Sequence, residues 1–269
     1  MGSKPSVLII TGNGLNCEAE SQAAWERSGA VVRLIHLNDL LASAAILQDH
    51  QALMFIGGFS YGDHMGSGLV MGLRIRNALR AELSRFIESG GLILGVCNGF
   101  QVMIKIGLLP GLDGDYFSQR LALMQNDSGH FRNDWVELKF ESNSPCVFTR
   151  GLDEMSLPIR HGEGKVFTPD RRVIEQVEKA GCVACRYTHP ETGEPTNQFP
   201  WNPNGSQHAI AGLCDPSGRV FGLMPHPEAY LLPENHPAWS FDRLTGGLPR
   251  ERLGLQLFRN AVDYMCGSG

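Results

Sequence analysis

The sequence predicts an α/β fold, a doubly wound, mostly parallel sheet with helices on both faces. Two observations predict it. Short apolar runs bounded by glycine, Leu92-Ile93-Leu94 being the clearest, carry no polar alternation and read as strands buried on both faces. These runs alternate with stretches whose apolar residues recur at helical spacing, as in Val70 to Glu88 with Leu73, Leu79, Leu83, Phe86 and Ile87. Such alternation builds βαβ units around a parallel sheet.

In order, Ser6 to Thr11 (SVLIIT) reads as the first strand, followed by the glycine-rich turn GNGLN and a helix near Glu18 to Glu26. Val31 to Ile35 is the second strand, and Leu53 to Ile56, ending in Gly57-Gly58, the third. The long helix follows, then the strand Leu92 to Leu94 and a mostly apolar helix through Phe100, Val102, Met103, Ile104 and Ile106. The second half is less regular. Trp135 to Phe140, Cys182 to Tyr187, Ala209 to Leu213 and Arg219 to Met224 read as strands, and a helix from about Arg252 to Met265 closes the chain. Arg160-His161-Gly162-Glu163-Gly164 and Pro200 to Ser206 read as loops. With no linker between the halves, residues 1–269 read as a single domain.

Composition removes several classes of function. The 269 residues are 42% hydrophobic and 19% charged, enough apolar material for a large core. A formal net charge of -5 gives no reason to expect nucleic acid or an anionic membrane as partner. No apolar run reaches transmembrane length or resembles a signal peptide. MGSKPS matches an acylation pattern at Gly2 and Ser6, but a strand begins at once and the match reads as coincidence. The seven cysteines, an odd number spread along the chain, argue against a disulfide framework and for a reducing, cytoplasmic setting. Cys182-Val183-Ala184-Cys185 lacks the second pair a structural zinc site needs, and the Gly12-Asn13-Gly14 turn lacks the third glycine of a dinucleotide fingerprint. No metal, nucleotide or other cofactor is expected in this chain.

The stretch Gly90 to Gln101 (GGLILGVCNGFQ) carries the chemistry. A strand, a sharp turn Gly95-Val96-Cys97-Asn98-Gly99 and a helix form the plan of a nucleophile elbow, with Cys97 where serine would stand in G-x-S-x-G. Flanking glycines permit the close approach, and the helix N-terminus favours thiolate. A thiol nucleophile needs a base and the base an orienting group. Pro225-His226-Pro227-Glu228 ends a predicted buried strand on the same rim; each proline biases its predecessor toward extended backbone, so that Glu228 can orient His226. Acyl chemistry also needs donors for an oxyanion. The loop Gly57 to Asp63 offers the Gly58 N–H, with Phe59 beside it as a candidate substrate contact, and Asn98 offers the second donor.

Gly95-x-Cys97-x-Gly99-x-Gln101 with Pro225-His226-Pro227-Glu228 resembles the class I, triad-type glutamine amidotransferases. Within them GNGLNCEAE, GGFSYGD, GVCNGFQ, HGEG, NPNGS and MPHPE resemble the glutaminase of phosphoribosylformylglycinamidine synthase, in the expected order. The resemblance implies a flavodoxin-like class I glutaminase fold. It implies Cys97 as nucleophile, His226 as base and acid, Glu228 as its orienter, and Gly58 and Asn98 as oxyanion donors. It implies that Gln101 fixes glutamine near the elbow and that His161 and Glu163 line the glutamine pocket or the ammonia exit. It further implies a synthase subunit as partner, carrying ATP and Mg2+, and leaves open whether a small accessory subunit joins it. Ala229 stands where the family usually has arginine, and extra length lies around Gly111 to Arg132 and Pro233 to Arg250. Rival readings are another class I amidotransferase, a stand-alone cysteine amidohydrolase, or a non-catalytic subunit of the same fold.

Overall fold

Backbone N–H and C=O groups removed from water must pair, and here the apolar runs pair into one nine-stranded sheet. The computed structural model describes residues 4–246 and 253–267. Gly2 of the acylation-like pattern, the 247–250 end of the Pro233 to Arg250 segment, and Arg252 lie outside them. The first half runs β1 (Ser6–Thr11), α1 (Glu18–Arg27), β2 (Val31–His36), α2 (Leu37–Ala42), β3 (Ala52–Phe55), α3 (Leu69–Glu88), β4 (Leu92–Val96) and α4 (Asn98–Ile106). The second adds β5 (Ala122–Gln125), β6 (Arg132–Phe140), β7 (Glu154–His161), β8 (Glu163–Phe167), α5 (Arg171–Lys179), β9 (Val183–Tyr187), β10 (Ile210–Cys214), β11 (Val220–Leu223), α6 (Trp239–Thr245) and α7 (Leu255–Met265).

Strand order is β2-β1-β3-β4-β11-β10-β9-β6-β7, with a separate antiparallel pair β5-β8. The first five strands are parallel and the last four continue antiparallel. The parallel strands β1, β3, β4 and β11 are fully or nearly fully buried, as their unbroken apolar runs require. Helices flank the sheet in two groups, α1 packing on α7 and α3 on α4. The parallel half is the doubly wound arrangement expected. Among the described residues no helix is long and apolar enough to cross a membrane.

Two local expectations are corrected. Leu73, grouped with the apolar stripe of the long helix, is 49% exposed. The buried stripe of α3 is Met71, Ile75, Leu79, Leu83 and Phe86, at spacings of four and three, and Leu73 sits half a turn off it. The Arg160 to Gly164 segment is not a loop either. Arg160 and His161 end β7, Glu163 opens β8, and Gly162 alone makes the bend. Pro158 disguised β7 as irregular; the strand lies at the sheet edge, where proline is tolerated.

Parallel pairing fixes what meets at the carboxyl rim. Val96 of β4 is in register with Leu223 of β11, and Gly95 with Phe55 of β3. The loops leaving β1, β3, β4 and β11 therefore converge on one edge, where doubly wound sheets place ligands. Cys97 and the Pro225-His226-Pro227-Glu228 segment leave neighbouring strands.

The elbow is made possible by small residues at contact points. A Cβ on Gly99 would lie 2.0 Å from the Phe55 carbonyl oxygen, and one on Gly222 would lie 2.2 Å from the Phe100 ring. Gly99→Ala is thus expected to cost at least about 2 kcal/mol, because its obstacle is backbone and cannot yield cheaply. Gly12→Ala, whose nearest neighbours would be 3.8 Å away, is expected to stay within about 0.5 kcal/mol of wild type. Urea unfolding of the two variants beside wild type checks the contrast, and equal losses would contradict it.

Candidate active site

Cys97 sits between β4 and α4 with φ 52 and ψ -108, a backbone conformation that disfavours any side chain. Holding it costs on the order of 1–3 kcal/mol, supplied by the surrounding packing. Its N–H donates to the Leu223 carbonyl at 2.9 Å and its carbonyl accepts from Gln101 N–H at 3.0 Å, so both flanks are pinned. The thiol is buried and its Sγ lies 3.5 Å from the Arg160 carbonyl oxygen. The strain falls at the residue that carries the sulfur.

His226 follows β11 at φ -105 and ψ 88, outside the helical region that a residue before proline avoids. Its N–H donates to Pro158 of β7 at 2.8 Å, which seats the imidazole against the antiparallel half of the sheet. Glu228 does not lie on an extended strand; Pro227 to Ala229 form a single 3-10 turn. That turn still brings Glu228 Oε1 to 2.6 Å from His226 Nδ1. Both side chains are buried, 2% and 1% exposed. Burial opposes a charged imidazole here, but the Glu228 carboxylate, with Cys97 and Cys17 beside the ring, outweighs it and holds His226 well above its ordinary pKa. The ring's Nε2 has no partner among the described residues.

A cavity of about 120 Å³ opens at this point, lined by Asn16, Cys17, Glu20, Gly58, Phe59, Cys97, Phe131, Arg160 and His226. Gly58, at φ 138, is pressed onto the first loop: a Cβ there would lie 2.7 Å from the Gly14 carbonyl oxygen and from Leu15 Cα. Flanking bonds, Phe59 N–H to Gly14 O at 2.7 Å and Asn16 N–H to Gly57 O at 3.4 Å, hold that contact. Neither the Gly58 N–H nor the Asn98 N–H has an acceptor among the described residues. Gly58 shares the cavity lining with Cys97, and Asn98 is the residue directly after the thiol. Phe59 and Phe131, ring centroids 6.1 Å apart, stand at the cavity wall and are both about half exposed.

The remaining sequence candidates lie outside the cavity lining. Gln101 donates from Nε2 to the Glu163 carbonyl at 2.7 Å and accepts from Asn98 Nδ2 at 2.9 Å. Asn98 Nδ2 also reaches Asp63 at 2.9 Å, and its Oδ1 accepts from Ser60 N–H at 3.2 Å. Glu163 Oε2 accepts from Ser67 N–H at 3.2 Å. These bonds tie the elbow helix to the loop after β3 and to β8. His161 is buried, with Nδ1 3.1 Å from Asn126 Oδ1; desolvation, reinforced by His226, lowers it to about 3 and keeps it neutral. Cys182 and Cys185 are also buried, which pushes them to about 12 and to a still higher value. Sequence reasoning missed Cys17, Glu20, Phe131 and Arg160. Cys17 and Glu20 had a signal, since GNGLNCEAE leaves the correct end of the first strand. Phe131 and Arg160 had none, because only the antiparallel half of the sheet brings them round.

Comparison with known proteins meets this geometry from a second side. The CobB/CobQ-like glutamine amidotransferase domain matches residues 4–265. The chain is 40% identical over 266 residues to phosphoribosylformylglycinamidine synthase subunit PurQ of Methanococcus maripaludis, covering 97% of each. It is 41% identical over 262 residues to the subunit of that name from Dehalococcoides mccartyi, covering 97% of this chain and 98% of the relative. Among solved structures, PurLQS from Thermotoga maritima aligns with a TM-score of 0.70 at 30% identity, over 98% of this chain and 100% of that one. With an elbow cysteine, an adjacent His-Glu pair and this extent of likeness, the chain belongs to the CobB/CobQ-like glutamine amidotransferase family.

Proposed function

We propose that residues 1–269 act as one amidotransferase domain, the glutaminase subunit of phosphoribosylformylglycinamidine synthase in purine biosynthesis. One observation carries the chemistry: a cysteine on a strained elbow shares a cavity with a histidine whose Nδ1 is tied to a buried carboxylate at 2.6 Å. The nearly full-length likeness to subunits named PurQ supports the pathway, and the likeness to PurLQS supports a synthase subunit and a small accessory subunit as partners.

In this reading the Cys97 sulfur attacks the side-chain amide carbon of glutamine. Charge developing on the amide oxygen is met by the Gly58 and Asn98 N–H groups; such donors are each worth about 3 kcal/mol in acyl transfer. The proton held by His226 goes to the leaving nitrogen, which departs as ammonia. The imidazole then takes a proton from water as the oxygen attacks the thioester, releasing glutamate and restoring the thiol. Glu228 is a positioning residue, fixing the ring and its charge. Glu20 and Arg160 bring opposite charges to the cavity, which suits the zwitterionic end of an amino acid. Gln101, His161 and Glu163 act behind the pocket, holding the elbow helix, β7 and β8 in place. Phe59 forms part of the entrance.

Free ammonia is protonated in neutral water and loses its nucleophilicity, so it must pass sheltered to a partner. ATP and Mg2+, which activate formylglycinamide ribonucleotide, belong to that synthase subunit. The reaction places the complex in the cytoplasm, among soluble purine intermediates.

Ammonia release from glutamine by the purified chain, with and without a synthase subunit, tests the assignment. Wild type is expected to release ammonia faster in the complex, and Cys97→Ala to lose on the order of 10³-fold or more in rate. Cysteine-dependent release indifferent to the synthase would instead favour a stand-alone hydrolase.

A second prediction concerns pH. Because His226 is held above its ordinary 6.5, its charged form contributes stability that is full below that value and lost as pH rises through the raised one. Glu228→Gln leaves burial to dominate, which lowers His226 and reverses that slope. The stability gap between wild type and Glu228→Gln, read by urea unfolding, is expected to shrink from about pH 6 to about pH 9. A gap that widens over that range would contradict the assignment of charge to the pair.

A further inference from the structure

Cys17 takes no part in the chemistry above, yet its thiol is buried beside the same imidazole. It caps the N-terminal end of α1 and is 4% exposed, with Asn16 Oδ1, at 3.6 Å, as the acceptor of its weak hydrogen bond. A Cβ built on Gly57 would lie 3.0 Å from Cys17 Sγ and 2.8 Å from His226 Cε1, so sulfur and ring edge share one small space beside Gly57. One donor atom each from Cys17, His226 and Glu228 lies within 4.8 Å of the other two. A separate observation points to a ligand. Glu228 Oε2 is buried and has no hydrogen-bond partner among the described residues, although such atoms are normally satisfied.

We propose that Cys17, His226 and Glu228 form a binding site for a thiophilic divalent cation of the zinc type, and that its occupancy silences the glutaminase. Thiolate, imidazole and carboxylate are the donor types zinc takes, at about 2.0–2.3 Å in tetrahedral geometry. That geometry requires Cys17 to draw in and the 2.6 Å His226–Glu228 contact to open slightly, both within reach of side-chain rotation. Coordination displaces to solvent both the thiol proton of Cys17 and the proton between His226 Nδ1 and Glu228, as thiolate and neutral imidazole ligands demand. The cavity, lined by both Cys17 and His226, supplies the entry path. A metal held there occupies the base and its orienting carboxylate together, so neither can serve Cys97. That inhibitory consequence rests on the glutaminase reading; the binding itself does not.

The experiment uses the full chain with Cys266, the exposed thiol, replaced by serine, stripped with chelator and titrated with Co2+ and then Zn2+. One equivalent of Co2+ is expected to give a near-ultraviolet sulfur-to-metal absorption that Zn2+ abolishes. Cys17→Ser is expected to lose that band and Cys97→Ser to keep it. Glu228→Gln, which retains both thiols, is expected to weaken Co2+ binding at least tenfold, which guards against a Cys17 variant that fails to fold. Half-inhibition of ammonia release by Zn2+ is expected to need at least tenfold more metal in Cys17→Ser. Absence of the sulfur band, or its persistence in Cys17→Ser, would overturn the site. A band that needs Cys17 in a protein that never releases ammonia would keep the site and sink the glutaminase reading alone.

Discussion

The structure depends on a backbone constraint at one residue. Cys97 is held at φ 52 between a buried parallel strand and a buried helix, a conformation the chain would leave if its neighbours permitted. They do not permit it. Gly99 lets α4 ride directly on the Phe55 carbonyl, Gly222 yields space to the Phe100 ring, and Leu223 accepts the Cys97 N–H. Moving the cysteine would break the packing of β3, β4, β11 and α4 at once. The strain is local while the packing that enforces it is spread across the centre of the sheet, and the thiol is aimed accordingly.

Polar ties extend that control outward. Asn98, the first residue of α4, spends its side chain on Ser60, Asp63 and Gln101, and Gln101 passes the connection to the Glu163 carbonyl. The loop after β3 is thus fastened to the elbow helix by side chains rather than by the sheet ladder. Asp63 sits in this network with its acidity weakened, chiefly by burial, although Ser67 and Asn98 donate to it. The loop whose Gly58 lines the cavity together with the thiol is therefore fixed relative to the sulfur. An oxyanion donor is effective only when its position is set before the charge develops.

Much of this was legible in the sequence, for definite reasons. Glycines at positions 95 and 99 around a cysteine have few uses other than a sharp strand-to-helix turn, and that turn is present. Prolines on both sides of His226 constrain its backbone locally, so the His-Glu pairing could be read without the fold. Four of the five parallel strands, β1, β3, β4 and β11, announced themselves because burial on both faces leaves unbroken apolar runs. What was hidden depended on contacts distant in sequence. β7 and β8 carry Pro158 and Gly164 and are joined at Gly162, which masks strand alternation, and the end of β7 brings Arg160 to the cavity. Gln101 resembles a substrate contact by motif, but its amide partners became visible only with Glu163 in place. Cys17 carried no reading of its own in the sequence, because nothing local reveals that the first and last parallel loops face one another.

The central claim is that the elbow makes Cys97 the reactive sulfur among seven cysteines. The most direct test maps every cysteine after brief exposure to a glutamine-like diazo-ketone, with peptide mass analysis over time and excess glutamine as competitor. The account predicts modification at Cys97 alone, saturating with reagent and slowed by glutamine. Modification at Cys17 or Cys266 with Cys97 left intact, or labelling indifferent to glutamine, would contradict it.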